Sequence, residues 1–261
     1  MSINSAGYIV RRAFSNSAAQ YEKFAALQYR IGHRLIDDFL SVPVKGHVLD
    51  VGMGSGRLTN RLSEVCPDIK IVGIDFASGM VFEAKEKYKT FEPLIADAQA
   101  LPFAAESFDG VISNVAYQWV EDLSSAFAQV TRVLKKEGRF CASLFGRETL
   151  CELFDALENA KSFGPQKKDF VRLKDKDAVG KALIGAGLSD VKLDCRIHKA
   201  YFADIHSLFF WLKAIGANRL NSAVRLNPRI LAEACEYYEN HFKWGSGIMA
   251  SFEVISVKGK K

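Results

Sequence analysis

At 261 residues, 49% hydrophobic and 25% charged, the chain has enough apolar material for a sizeable core and lacks the polar bias of a disordered or fibrous protein. No apolar run approaches the roughly 20 residues needed to cross a bilayer, so a soluble protein without a membrane span is expected. A net charge of +5 is far from the dense basic stripe of a nucleic-acid binder, yet it suits an acidic partner.

Residues 1–21 carry Arg11, Arg12 and several serines, no acid before Glu22, and no apolar block of a secretory signal. That composition suits an organelle transit peptide, whereas the apolar helical spacing that starts directly after it argues for a working segment of a cytoplasmic protein. Tyr21, Phe24, Leu27, Ile31, Leu35 and Phe39 recur at steps of three or four, which predicts one helix with Ser15 as its N-cap and Val42-Pro43 as its end. His47–Val51, a short apolar run after a glycine, reads as a buried parallel strand. Helix and strand then take turns: helix over 57–66, strand 69–74, helix 78–88, strands 93–96 and 108–113, helix 123–134, strand 139–144. Alternation at these lengths implies crossover connections and a parallel sheet covered on both faces, a Rossmann-like α/β fold.

Beyond Leu144 the rhythm loosens. Helix 149–160, a basic loop 163–176, helix 177–186 and strand 191–201 precede two helices, 205–214 and 228–242, around the turn Gly216-Ala-Asn218. The last strand is expected over 248–257, with the helical insertion 202–245 lying over the sheet's C-terminal edge and Lys258–Lys261 as a solvated tail. The whole is read as a single domain over 1–261: an N-terminal helical lid (1–41), a cofactor-binding core (42–145) and a substrate-side half (146–261). The five cysteines have no C-x-x-C pair and no nearby histidine, so they read as reduced, mostly buried thiols with no metal site.

Asp50-Val-Gly52-Met-Gly54-Ser-Gly56 follows the first strand and opens a helix, where glycines allow a tight turn and a close ligand approach. A glycine-rich loop alone also suits an ordinary strand-to-helix turn. Asp50 beside it would repel a pyrophosphate and hold an ammonium group, which favours the methionine end of S-adenosylmethionine. Asp75 ends the second strand about 20 residues after the loop, the spacing of an acid that accepts from ribose hydroxyls; capping the strand end is its competing reading. Asp97 ends the third strand, where its carboxylate can accept from the exocyclic amine of adenine while the Ala98 amide donates to the ring.

These residues, with Leu101-Pro-Phe103, Ser107-Phe-Asp-Gly-Val111 and Thr131-Arg-Val-Leu-Lys135 before Gly138, resemble the class I methyltransferases. That resemblance implies a mainly parallel seven-stranded sheet with an antiparallel last strand. It also implies Asn114 as a backbone contact to the methionine moiety, Met80 as packing near the adenine, and Met53 at a loop position that is commonly Cys or Gly. A wider resemblance rests on Phe14–Tyr21 with Ala25, Leu27 and Gln28, on Tyr117-Gln-Trp119, Phe145–Leu150 with Glu152-Leu153, Leu212–Asn218 and Phe252–Ile255. Those segments resemble the BioC-type malonyl-acyl carrier protein O-methyltransferases of biotin synthesis, which implies methylation of a free malonyl thioester carboxylate on carrier protein or coenzyme A.

A carboxylate is already ionised at neutral pH, so such a reaction needs no general base; it needs a closed, dry, aligned site and hence a lid. Tyr21 and the region 216–219 are the lid residues expected, Tyr21 closing over the methionine end. Gln118 and Trp119 follow the fourth strand, where the acceptor must lie. Core packing is the competing role for Tyr21 and Trp119. One arginine should position the acceptor carboxylate, Arg147 or Arg219, with a surface role as the alternative for each. Lys167, Lys168, Arg172, Lys174 and Lys176, and Lys213, Arg219, Arg225 and Arg229, form basic stretches that would steer an acidic carrier protein or simply be solvated. Two other functions stay open: methylation of another small acid or a quinone, and a methyltransferase-fold respiratory complex assembly factor. Asn114-Val-Ala-Tyr117 lacks the Pro-Pro-aromatic stretch that grips a flipped base, so nucleic acid is set aside.

Overall fold

The computed structural model describes residues 5–162, 172–217 and 228–261. Five strands are parallel: β1 (Gly46–Val51), β2 (Ile69–Asp75), β3 (Glu92–Ile95), β4 (Phe108–Asn114) and β5 (Leu134–Phe145). With β6 (Ser189–Phe202), the two-residue β7 (Lys243–Trp244) and β8 (Gly247–Lys260), they build a sheet of order β3-β2-β1-β4-β5-β8-β6, and β7 pairs with β8. Strand β8 runs antiparallel to both β5 and β6. This is the class I methyltransferase arrangement. The chain winds outward from β1 to β3 and then restarts at β4 on the other side of β1, which opens a crevice between the carboxyl ends of β1 and β4.

Two-residue alternation sorts each strand between two cores. Leu49, Val51, Val111, Phe140 and Ala142 face Phe127, Val130 and Val133 of helix α5 (Leu123–Val133). Val48, Ile112 and Cys141 face the opposite way, towards α2 (Ala26–Phe39) and α3 (Arg57–Val65), against Ile36, Phe39 and Leu62. Asp50 shares the face of Val48 and is thereby delivered beneath α3.

Where one N-terminal helix was expected, there are two. α1 (Ser5–Phe24) begins ten residues before Ser15, and the chain breaks at Ala25, φ −85° and ψ 27°, before α2. The break is stabilised from outside: the indole of Trp211, on α8 (Ile205–Ala214), donates to the freed Phe24 carbonyl at 2.8 Å. α2 stays on the sheet, while α1 swings across α4 (Ser78–Lys87). Ser15 is therefore interior to a helix.

The expected solvated tail is strand. β8 continues to Lys260, pairing Arg139 with Lys260 on one side and Ser189 with Lys260 on the other. Lys258 Nζ meets Asp38 at 2.6 Å, and Lys261 Nζ donates to the Leu134 carbonyl at 2.8 Å. Positive charge alone made this segment read as solvated; alternation of Val257 inward with the lysines is the overriding signal.

α6 (Cys151–Asn159), α7 (Lys176–Gly185) and α9 (Pro228–His241) complete the α-helices of the described residues, and a 3₁₀ turn spans Tyr117–Trp119. Cys141 is buried, but the other four thiols are only half-buried, fewer than expected; all five are free. No described helix is long and apolar enough to cross a membrane.

Candidate active site

The loop after β1 is shaped by three left-handed glycines, Gly52 (φ +76°), Gly54 (+58°) and Gly56 (+82°). A side chain at Gly52 would place its Cβ 2.2 Å from that of Ala116, so β1 and the segment after β4 approach this closely only around glycine. A Cβ at Gly54 would meet nothing nearer than Tyr21 Cε1 at 3.9 Å: this glycine faces open space. The loop is tied down by Gly52 and Met53 amides, which donate to the Ile74 carbonyl at 2.8 and 2.9 Å.

Two buried acids flank the loop. Asp50 accepts from the Thr59 hydroxyl at 2.6 Å, and Asp75 accepts from the Gly54 amide at 3.0 Å and the Ala77 amide at 2.8 Å. Burial pushes the Asp50 carboxyl up to about 7, against the Thr59 hydrogen bond and with a smaller push from Asp75. Asp75 is raised to about 6, also by burial, against its two backbone bonds. Neither has an ion-pair partner among the described residues, and burial disfavours their ionised form, so a cationic ligand beside them would be drawn in by restoring that form.

A cavity opens there, at the switch between β1 and β4, walled by Asp50, Gly54, Arg57, Tyr29 and Asn114. Beside it lies a second, walled mainly by Phe14, Trp119, Phe145, Leu212, Ile215 and Phe252, with Gln118 and Thr149 as polar lining. Tyr21 and Gln28 are the described residues that wall both. Burial and the Asp75 charge hold the Tyr21 phenol well above its ordinary pKa, so it stays a donor.

α1 forms the roof. Ala18 packs with Ala77 and Met80, bordered by Phe14 and Phe76, and the Gly79 amide donates to Ser15 Oγ at 3.3 Å. Gly216 (φ +76°) abuts Phe14 and Ser17, so α1 meets the segment after α8 over the second cavity.

The structure brings Tyr21, Asp50, Gly52, Gly54 and Asn114 to the first cavity, and Gln118 and Trp119 to the second. Met80 is buried under α1. Asn114 is a tie as well: its Nδ2 donates to the Gln28 carbonyl at 3.0 Å and its Oδ1 accepts from Ser143 at 2.8 Å. Gln118 Nε2 donates to the Val115 carbonyl at 2.8 Å, and Trp119 stands edge-on to Phe14 at 5.3 Å. Asp97 is exposed beyond β3 and accepts from the Gln99 amide, with Ala98 half-buried beside it. Arg147 is in neither wall; it is exposed and faces Asp175 at 3.7 Å. Arg219, Arg225, Lys167 and Lys168 lie outside the described residues. Arg172 is committed to Glu158 at 2.9 Å, and Arg229 to Glu233 at 3.2 Å.

Sequence reasoning gave no role to Gln28, Tyr29 or Arg57. Arg57 stacks 3.7 Å above the Tyr29 ring, and both Gln28 Oε1 and the Tyr29 hydroxyl are buried without a partner. The available signal was Gln28, a polar residue four after Phe24 and three before Ile31 on an apolar stripe. The donor set fits S-adenosylmethionine: acids for an ammonium and ribose hydroxyls, an unobstructed glycine backbone, and orphaned polar atoms on the wall.

A family model described as a methyltransferase domain matches residues 49–142, from β1 into β5. The malonyl-[acyl-carrier protein] O-methyltransferase of Geobacter sulfurreducens is 32% identical, over 97% of this chain and 98% of its own. The chain belongs to the malonyl-[acyl-carrier protein] O-methyltransferase family. A second member, from Xylella fastidiosa, is 34% identical over 80% of this chain and 72% of its own. Like the family, this chain is an O-methyltransferase that uses S-adenosylmethionine as methyl donor. The fold is shared with the YcgJ protein from Bacillus subtilis, at TM-score 0.62 and 17% identity over 88% of this chain and 98% of that one. It is shared too with phosphoethanolamine N-methyltransferase 2 of Haemonchus contortus, solved with S-adenosyl-L-methionine: TM-score 0.59, 16% identity, 94% of this chain and 57% of that one.

Proposed function

We propose that this O-methyltransferase methylates the free carboxylate of a malonyl thioester borne on acyl carrier protein, as a step of biotin synthesis. The end-to-end match to relatives named for that reaction carries the reading, and a biotin biosynthesis bifunctional protein from Teredinibacter turnerae, 31% identical over 97% of this chain and 46% of its own, supports the pathway. The mainly apolar second cavity suits the chemistry. S-adenosylmethionine supplies an electrophilic methyl group on a sulfonium. A carboxylate oxygen bonds to that carbon as the sulfur–carbon bond breaks, leaving a methyl ester and a neutral thioether. Charge is neutralised in the process, so water that solvates the separated ions opposes it, and apolar walls remove that water.

In this reading Asp50 attracts the cofactor's ammonium, Asp75 accepts from ribose hydroxyls, and Asp97 with the Ala98 amide reads adenine beside Met80. Gly54 keeps the loop backbone accessible, Gly52 and Gly56 let the loop pack closely against Ala116 and Phe91, and Asn114 closes the methionine end. Tyr21 donates to the acceptor carboxylate, and Gln118 and Trp119 shape its cavity. Of the two arginines, Arg219 is the one to test, because Arg147 faces Asp175 outside both walls. We further read residues 1–41 as the lid, 42–145 as the cofactor core and 146–261 as the substrate side.

The test is methyl transfer from labelled cofactor to malonyl-carrier protein. Base-labile label on the malonyl group is expected, together with restored biotin-independent growth of a strain lacking this step. Transfer confined to other free acids or to quinones would overturn the acceptor.

A further inference from the structure

Gln28 sits on the apolar face of α2 at 7% exposure, yet its side chain does not hold the helix in place. The tie to β4 is made by its main-chain carbonyl, which accepts from Asn114 Nδ2 at 3.0 Å and would survive any substitution. Its Oε1 is sealed from solvent with no donor, a desolvation cost that leucine or methionine would avoid. The same residue walls both cavities. A primary amide is the neutral side chain that accepts at one atom and donates two hydrogens at another. Its dipole can therefore serve a cation on one side and an anion on the other, whereas Lys, Arg or Glu would serve one and repel the other.

We propose that Gln28 bridges the two substrates: Oε1 accepts from the ammonium group of S-adenosylmethionine in the first cavity, and Nε2 donates to the acceptor carboxylate in the second. The acceptor half rests on the function proposed above. Placing a neutral amide here orients the nucleophile without drawing off its charge, as a tight guanidinium pair would.

The test compares the native protein with Q28L and Q28E. Calorimetry with S-adenosylhomocysteine, which keeps the ammonium, should show about tenfold or greater weakening in Q28L, the size expected for a hydrogen bond to a charged group. 5′-Methylthioadenosine has the nucleoside and thioether but no ammonium, and its affinity should be the same in both proteins. Q28E keeps an accepting oxygen, so S-adenosylhomocysteine should bind within about threefold of native, while KM for malonyl-carrier protein rises more than tenfold as anion meets anion. Equal losses for both ligands in Q28L, or parallel losses of cofactor and acceptor binding in Q28E, would make Gln28 a packing residue and overturn the bridge. If the native protein methylates no malonyl thioester, the acceptor reading fails instead, and the two calorimetric ligands still decide the cofactor half.

Discussion

Burial holds the Asp50 carboxyl at about 7, whereas unfolding returns it to an ordinary value near 4. The folded ligand-free protein therefore binds more protons than the unfolded chain between those values, and this group's contribution to stability falls as pH rises through that window. A cationic ligand reverses the preference by favouring the ionised carboxylate. The rise in Tm produced by S-adenosylhomocysteine should thus be larger at pH 7.5 than at pH 5.5, and D50N should flatten that dependence; differential scanning calorimetry at the two pH values checks both. Gly54 gives a steric counterpart. The space before it predicts that G54A still folds, at a modest stability cost from its left-handed φ of +58°, but loses at least tenfold in cofactor affinity, read by calorimetry. Asp50, Asp75 and the glycines were legible in the sequence because strand ends and turn geometry restrict residue type locally. Gln28 was not, because its meaning lies in a missing partner that appears only when α2 is laid against β4.

Helix boundaries show the same division. Strand positions came out within a residue or two for β1 and β4, where apolar runs are bounded by glycine or polar residues. The break at Ala25 is not legible locally, because the group that stabilises it, the Trp211 indole on the Phe24 carbonyl, lies 187 residues away. That break sends α1 over α4, and its contact there is tight: a Cβ on Gly79 would fall 2.3 Å from the Ser15 carbonyl oxygen. G79A should lift α1 from α4, since overpacked interfaces give way as units. The expected result is release of S-adenosylhomocysteine faster by about threefold to tenfold in stopped-flow, with far-UV circular dichroism unchanged. The lysines of β8 supply a second case. Removing residues 258–261 strips ladder pairing from β5 and β6 together with the Lys258 pair to Asp38. A loss of about 2–3 kcal/mol, at roughly 1 kcal/mol for each hydrogen bond, should lower Tm by about 5–10 °C. A truly solvated tail would leave it unchanged.

Across the whole molecule, the first cavity is walled both by the loop after β1 and by Tyr21 of the α1 roof, so a cofactor held there as proposed would touch both. Ligand binding should stabilise the ensemble by about 2.7 kcal/mol at a hundredfold excess over Kd, a Tm rise of about 5–10 °C. Titrating S-adenosylhomocysteine during thermal melts tests that figure, and removing α1 should cut it sharply. The sheet order has a further consequence. Strand β8 is synthesised after β5 and β6, yet it is the strand that separates them. Until it inserts, a nascent chain on the ribosome exposes two long unsatisfied edges facing an empty slot, which invites β5 and β6 to join prematurely or to capture a neighbour. Chaperone demand during biogenesis should accordingly concentrate in the interval between emergence of Phe202 and arrival of Gly247.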